Sequence, residues 1–329
     1  MREGIAIAAF TGRGSALGAR LATQLGASLS CSEQGAFSLH AWTAENFAAR
    51  EALIFVGAAG IAVRAVAPCV KSKAEDPAVL CVDEYGRHVI PLLSGHLGGG
   101  NELARRVAAL TGGEAVITTA TDLNGLFAVD LWARRQGMTV LQPERIKAVS
   151  AKLLRGECVR IDCPWPVAGE LPASVELGAE GDVCVSCRRG AGGALQLVPR
   201  IVYLGIGCRR GAEREMLEGV FERFCAERGL LPESVAAAAS IDRKADEEGL
   251  RAFCAAHGWP LRFFTADALS RTPGHFSASA FVERTVGVDN VCERAAVCAC
   301  GGRLVEAKYA AEGVTFAAAE GAFAPDWSM

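Results

Sequence analysis

His88-Val89-Ile90-Pro91-Leu92-Leu93-Ser94-Gly95-His96-Leu97-Gly98-Gly99-Gly100-Asn101 is the stretch from which the fold is read. His88 to Leu93 is an apolar strand, Ser94 to Gly100 a glycine turn, and Asn101 to Leu110 has helical spacing. The same succession recurs upstream. Ile5 to Phe10 reads as a buried strand, followed by Thr11-Gly12-Arg13-Gly14-Ser15 and a helix through about Leu25. Ala52 to Val56 is a second strand, ending in Gly57-Ala58-Ala59-Gly60 and a helical stretch, Ile61 to Ala67. Ala78 to Asp83 is a third, turned by Glu84 to Gly86 into His88, and Ala115 to Thr118 is a fifth. Strands alternating with helices predict a largely parallel sheet, with ligands received near the carboxyl ends of its strands.

From Thr121 to Arg200 the texture changes. A helix around Phe127 to Gln136 gives way to Pro143, Pro164, Pro166 and Pro172 among short apolar runs. At Ile201 the first pattern restarts, with a strand to Gly207 and further strands at Val235–Ile241, Pro260–Thr265, Leu304–Lys308 and Val314–Ala319. Helices are expected at Ala212–Glu227, Ala245–His257 and Val291–Cys300. The expected architecture is α/β: two α/β domains with mainly parallel sheets, joined by a smaller mixed middle domain. The boundaries read as 1–125, 126–200 and 201–329.

The bulk properties agree. The 329 residues are 51% hydrophobic with 37 glycines, which excludes a disordered chain. Net charge is −3, from 34 Lys+Arg against 37 Asp+Glu, so no basic footprint for nucleic acid exists. No apolar stretch reaches the roughly 18 residues of a membrane span. Met1 to Ile5 opens no signal-peptide pattern, and a cytoplasmic protein is expected. The 13 cysteines are odd in number and mostly in apolar settings, as reduced thiols would be.

Several constellations bear chemistry. The turn Ser94 to Gly100 presents backbone N–H groups at a helix start, where anions are received, and His96 exchanges protons near neutral pH. A tight connection with His96 as a polar cap is the bland alternative. Asp83 and Glu84 join adjacent strands and are placed to orient His96, or else form an ordinary acidic hairpin turn. Thr11 to Gly18 imitates a dinucleotide fingerprint with the wrong spacing, and suits anion binding with Arg13 better than a nicotinamide cofactor. Gly205-Ile206-Gly207-Cys208-Arg209-Arg210-Gly211 adds two arginines, suited to carboxylate or phosphate. Cys208 there is expected near a helix N-terminus that lowers its pKa. Asp242 reads as the N-cap of the next helix. Cys158, Cys163, Cys184 and Cys187 leave a zinc site open, though the spacing lacks knuckle glycines.

Taken together, three groups of segments resemble one family. They are Gly57 to Pro68, Lys73 to Val79 and Val82 to Asn101; Ile117 to Asp122; and Gly205 to Gly211, Ile241 to Glu247 and Gly287 to Glu293. Their order and content are similar to the cobalt-precorrin-5A hydrolases of anaerobic cobalamin biosynthesis, the CbiG family. Gly100 stands where that resemblance implies Ala. The C-terminal segment also resembles a stand-alone protein of the aerobic pathway.

The resemblance implies a cobalt corrinoid substrate with many carboxylates and a δ-lactone. Water opens the lactone and the two-carbon bridge leaves as acetaldehyde. No separate cofactor is implied, because the cobalt arrives inside the substrate, and no resident metal site is assigned. On this reading His96 is the base, Glu84 or Asp83 orients it, and the Gly98 to Gly100 amides receive the oxyanion. Substrate binding is assigned to Ser94, Gly95, Gly98, Gly99, Gly100, Asn101, Arg64, Thr119, Asp122, Gly207, Arg209 and Arg210. Lys308 or Glu293 would close over the substrate. The partner is thus the corrinoid, with neither nucleic acid nor membrane; a homodimer and transient contacts with neighbouring pathway enzymes stay open. The alternative from another class is a non-catalytic corrinoid carrier. A nicotinamide-dependent oxidoreductase is a third reading, for which no ribose-binding acid is evident.

Overall fold

The structure, a computed structural model, describes residues 2–32, 37–72, 75–95, 98–190, 192–279, 283–284 and 286–327, with the side chains of residues 121 and 122 left aside. The chain divides into two compact units, Met1–Arg134 with Ser150–Glu157, and Arg135–Val149 with Cys158–Met329. Three mainly parallel mixed sheets are distributed over them, so the fold is α/β as the strand–helix alternation predicts.

The first unit is built on a six-stranded sheet ordered β2-β1-β3-β4-β5-β6. Its strands are β1 (Ile5–Ala9), β2 (Ser28–Cys31), β3 (Ala52–Val56), β4 (Ala78–Val82), β5 (His88–Leu93) and β6 (Glu114–Ala115). β1, β2, β3 and β4 pair in parallel, and the near-continuous apolar runs of β1, β3 and β4 reflect burial on both faces. β5 turns back antiparallel on β4, and β6 follows β5 in parallel. The covering helices are α1 (Gly12–Leu25), α2 (Leu39–Ala49), α3 (Ala59–Val66) and α4 (Gly100–Thr111). α1 begins because the Thr11 hydroxyl accepts the Gly14 N–H, and it ends at Gly26 in the left-handed region. After β6 come α5 (Ala120–Leu123), α6 (Val129–Arg135) and α7 (Ile146–Leu154).

The middle region forms a five-stranded sheet, β7-β11-β10-β8-β9, from β7 (Met138–Val140), β8 (Val159–Asp162), β9 (Val175–Leu177), β10 (Val183–Val185) and β11 (Leu195–Pro199). It shares a unit with the C-terminal sheet. That sheet is ordered β14-β13-β12-β16-β15, from β12 (Val202–Cys208), β13 (Val235–Ile241), β14 (Leu261–Phe264), β15 (Arg303–Ala311) and β16 (Val314–Glu320). On one face α8 (Arg214–Arg228) and α9 (Glu248–Ala256) pack Phe221, Phe224 and Phe253 against Leu204, Ile206 and Phe316. Truncating one of these buried rings to Ala costs about 3–5 kcal/mol. On the other face lie α10 (Ala266–Ser270) and α11 (Cys292–Cys300), whose Ala295 and Ala299 meet Ala239 and Ile241. α11 sits so close that a Cβ on Gly205 would collide with the Cys292 carbonyl.

Candidate functional site

In the first unit the site-bearing loops fall on two edges of the sheet. Because β5 runs against β4, its end at Ser94 lies beside Val79 at the start of β4, while Asp83 and Glu84 follow β4's end. The two edges are separated by the length of β5, about 17 Å at ~3.4 Å per residue.

At the Ser94 edge, Ser94 adopts a φ of 53°, an unusual left-handed backbone for a non-glycine residue. Its hydroxyl donates to the Asp76 carbonyl at 2.9 Å. Asp76 is buried, and both its carboxylate oxygens accept the Lys71 N–H at 3.0 and 3.1 Å. The helix start then closes on the turn: Gly100 N–H donates to Ser94 O at 3.0 Å and Asn101 N–H to Gly95 O at 2.9 Å. Asn101, also buried, donates from Nδ2 to Thr119 Oγ1 at 3.1 Å. The structure thus brings together Ser94, Gly95, Gly98, Gly99, Gly100, Asn101 and Thr119, and adds Asp76 and Arg134, which sequence reasoning did not single out. Gly99, at φ 74°, packs against the Arg134 guanidinium of α6 so tightly that a Cβ would collide with it. A Cβ on Gly98 would strike Ser94. His96 lies outside the described residues, as does the side chain of Asp122.

One expectation changes here. The Gly100 amide, assigned to the oxyanion, is already donated to Ser94 O. Among the described residues the Gly98 and Gly99 amides make no such backbone hydrogen bond.

The other edge holds Asp83 and Glu84, and strand direction removes them from the turn they were expected to serve. Asp83 Oδ2 accepts His88 N–H at 2.6 Å and Oδ1 accepts Tyr85 N–H at 2.9 Å. Burial would raise its carboxyl, but these amides and the His88 ring hold it below the ordinary aspartate value. Asp83 is therefore the acidic hairpin residue of the bland reading. Glu84 accepts the Thr11 hydroxyl at 2.8 Å and faces Arg13 at 3.9 Å. Arg64 lies on α3 and returns its guanidinium to the Gly60 carbonyl, toward this edge rather than the Ser94 turn.

The second site belongs to the C-terminal sheet. A cavity of about 740 Å³ opens at the carboxyl ends of β12 and β13, walled by Ile241, Val286, Val291 and Val314. Gly207, Arg209, Arg210, Arg243, Lys244 and Lys308 also line it, with Glu312 as the acidic lining residue. Gly207, Arg209 and Arg210 thus gather as the glycine turn predicts, but not as a helix N-terminus. α8 starts only at Arg214, the Arg209 amide is donated to Gly313 O, and Gly211 N–H is accepted by Glu247 at 2.8 Å. With these two amides taken, the arginine side chains are the loop's main offering to a ligand. Burial pushes the Cys208 thiol up, with Lys244 opposing, so the lowering expected from a helix end does not occur.

Two further sequence readings are revised. Asp242 does not cap the following helix; it opens a short 3₁₀ turn, Asp242–Lys244, and Glu247 precedes α9. Glu293 is buried and fully engaged: Oε1 accepts the Ser277 hydroxyl and Lys308 N–H, Oε2 the Ser277 N–H. It organises the cavity wall and does not close over a ligand. Of the four middle-region cysteines, Cys187 is buried in the core with its thiol raised to about 12, while the Cys158 and Cys163 thiols face the Ala173 and Trp165 carbonyls. Among the described residues no group of three or more His, Cys, Asp or Glu side chains is arranged to hold a metal ion. No described helix is long and apolar enough to cross a membrane.

Fold and sites define an α/β protein whose candidate ligand-binding features sit on strand-to-helix loops, one of them a cavity lined by cations. Residues 41–122 match the family described as Cobalamin synthesis G N-terminal, and residues 202–319 match Cobalamin synthesis G C-terminus. The chain belongs to the CbiG family. It is 36% identical to a protein of Salmonella typhimurium named cobalt-precorrin-5A hydrolase, over 95% of this chain and 96% of that one. A Priestia megaterium protein of the same name is 30% identical, over 68% of this chain and 66% of its own. A solved structure described as a cobalamin biosynthesis protein G homolog, from Sulfolobus solfataricus, is 22% identical and spans 96% of this chain and 97% of its own, with a TM-score of 0.41.

Proposed function

We propose that the protein is a cobalt-precorrin-5A hydrolase of anaerobic cobalamin biosynthesis. The observation that carries this reading is the C-terminal cavity, because its chemistry complements the substrate. A corrinoid precursor is a broad apolar macrocycle fringed with carboxylates; the cavity has apolar walls and five cationic lining residues, Arg209, Arg210, Arg243, Lys244 and Lys308. Such focused charge suffices in a chain whose net charge is −3.

In the proposed reaction a water oxygen adds to the lactone carbonyl carbon and the ring C–O bond breaks. This leaves a carboxylic acid and a hydroxyl on the two-carbon bridge. Loss of the hydroxyl proton forms the C=O of acetaldehyde as the bridging C–C bond breaks. The electron pair passes to the macrocycle carbon, which takes up a proton. The cobalt belongs to the substrate, and the chain's own part is proton transfer and charge stabilisation. His96 is assigned the water's proton, and the neighbouring Gly98 and Gly99 amides the developing oxyanion. Asp83 and Glu84 have no part in this step.

The test mixes purified protein with the cobalt lactone and traps acetaldehyde. Wild type releases one equivalent per substrate, and His96→Ala slows release by about 100-fold or more. A wild type that binds the corrinoid but releases nothing above background is a carrier, and the hydrolase reading fails. Unchanged release by His96→Ala removes His96 from the base role.

A further inference from the structure

We infer that Lys308 is a specificity-determining contact of the C-terminal cavity, an ammonium aimed by a β-bulge at one carboxylate of the bound macrocycle. The inference rests on the proposed use of that cavity and gives one of its cations a distinct role. In a regular strand residues two apart share a face. On β15, Glu306 and Lys308 do not. The Glu306 carboxylate meets Arg228 of α8 at 3.6 Å, on the face that α8 and α9 cover. Lys308 instead lines the cavity, and its N–H donates at 2.7 Å to Glu293 of α11, on the opposite face.

The pairing of β15 with β16 explains the reversal. Glu306 stands opposite Ala318 and Tyr309 opposite Phe316, so β15 spends three steps where β16 spends two. The extra residue falls at Ala307–Lys308, and a bulge of this kind re-aims the side chain beside it. The amide it releases from the ladder would be left without a partner; the buried Glu293 carboxylate takes it. Glu293 also holds the Ser277 N–H and hydroxyl, so the carboxylate that receives the Lys308 amide is itself fixed in place.

The charges on the cavity are not equivalent. Lys244 donates to Glu247 at 2.8 Å, and Arg210 lies 3.8 Å from Glu247 and 3.7 Å from Asp246. Their positive charge is largely answered from within the protein. The Lys308 ammonium sits near the Cys292 thiol and has no carboxylate partner among the described residues. A half-buried lysine in that position selects for a ligand carboxylate.

The test compares cobyrinic acid, a cobalt corrinoid with free side-chain carboxylates, with its heptamethyl ester, each titrated calorimetrically into the full-length protein. Lys308→Met is expected to weaken the acid by about 10- to 100-fold and leave the ester within about twofold. Lys308→Arg, which keeps the charge, is expected to restore most of the difference. Equal weakening of acid and ester, or an unchanged acid affinity in Lys308→Met, overturns the inference while leaving the cavity reading intact. A wild type that binds neither compound overturns both.

Discussion

Glu247 Oε2 accepts the Gly211 N–H at 2.8 Å while Oε1 takes the Lys244 ammonium, also at 2.8 Å. One buried carboxylate therefore fixes both the end of the arginine loop and a lysine of the adjoining turn. The loop's cations are organised from beneath before a ligand arrives, the condition under which charged contacts cost least to form.

Glu247→Gln is expected to destabilise the protein by about 1–3 kcal/mol at neutral pH, because an amide cannot answer both the ammonium and the loop amide. Burial would raise the Glu247 carboxyl, but Lys244, the Gly211 amide and Arg210 outweigh it and hold it below 4.5. A depressed carboxyl contributes stability above its unfolded pKa and loses it as pH falls through the folded one. The gap between wild type and Glu247→Gln should be full above about pH 4.5 and close in more acid solution. Urea titrations at pH 7, 5 and 3 read it; a gap that widens on acidification would contradict the assignment.

Glu306 offers a contrast between buried and exposed ion pairs. It is buried and meets Arg188 at 2.5 Å and Arg228 at 3.6 Å, joining the loop after β10 to α8 and β15. Glu306→Gln should cost about 1–3 kcal/mol, since two half-exposed guanidiniums lose the buried carboxylate they share. Arg303 also faces a carboxylate, Glu320, at 2.9 Å, but is 79% exposed, and Arg303→Gln should cost less than about 1 kcal/mol. Equal losses in denaturant titrations would refute the distinction.

Cys208 provides a probe of the cavity floor. Its thiol is pushed up from 9.0 by burial, against the pull of Lys244. Alkylation by iodoacetamide, followed by mass spectrometry of the Cys208 peptide, should still be accelerating above pH 9. Lys244→Met should slow it further, because the thiolate loses its nearby cation. Faster labelling in that variant would show that access, not ionisation, governs the reaction.

The strand-to-helix rhythm made most of the two outer sheets legible. Ala52–Val56, His88–Leu93 and Val235–Ile241 have the bounds that the apolar runs indicate. β2 and α2 gave no such signal: β2 has only four residues, and α2 mixes Trp42, Phe47, His40 and Glu45 without a clear stripe. The site was read less well, for one physical reason. The turn at Glu84–Gly86 is too short for a parallel crossover, so it already sets His88–Leu93 antiparallel. Proximity along the chain nevertheless made Asp83-Glu84 and Ser94–Gly100 look like neighbours when the length of β5 separates them. The bulge at Lys308 and the place of Arg134 are likewise tertiary facts, with no local pattern to announce them.

Gly99 tests whether the glycines of the turn are there for space or for backbone. Gly99→Ala meets two obstacles: the Arg134 guanidinium stands where the methyl would go, and φ 74° disfavours any side chain. The first is relieved by shortening Arg134; the second is not. Gly99→Ala should therefore cost about 1–2 kcal/mol, mostly backbone strain because the exposed guanidinium can swing aside, and Arg134→Ala alone less than about 1 kcal/mol. The double variant should recover the steric part and retain roughly 1 kcal/mol of backbone strain. Thermal denaturation of all four proteins gives the coupling energy. Strict additivity would mean that Arg134 yields freely to the methyl. Full recovery would mean that the left-handed backbone of Gly99 relaxes, and the turn is softer than its geometry implies. Acetaldehyde release in the double variant then tests the proposed oxyanion role, because a strained but intact turn keeps the Gly98 and Gly99 amides in place and on that proposal preserves the rate.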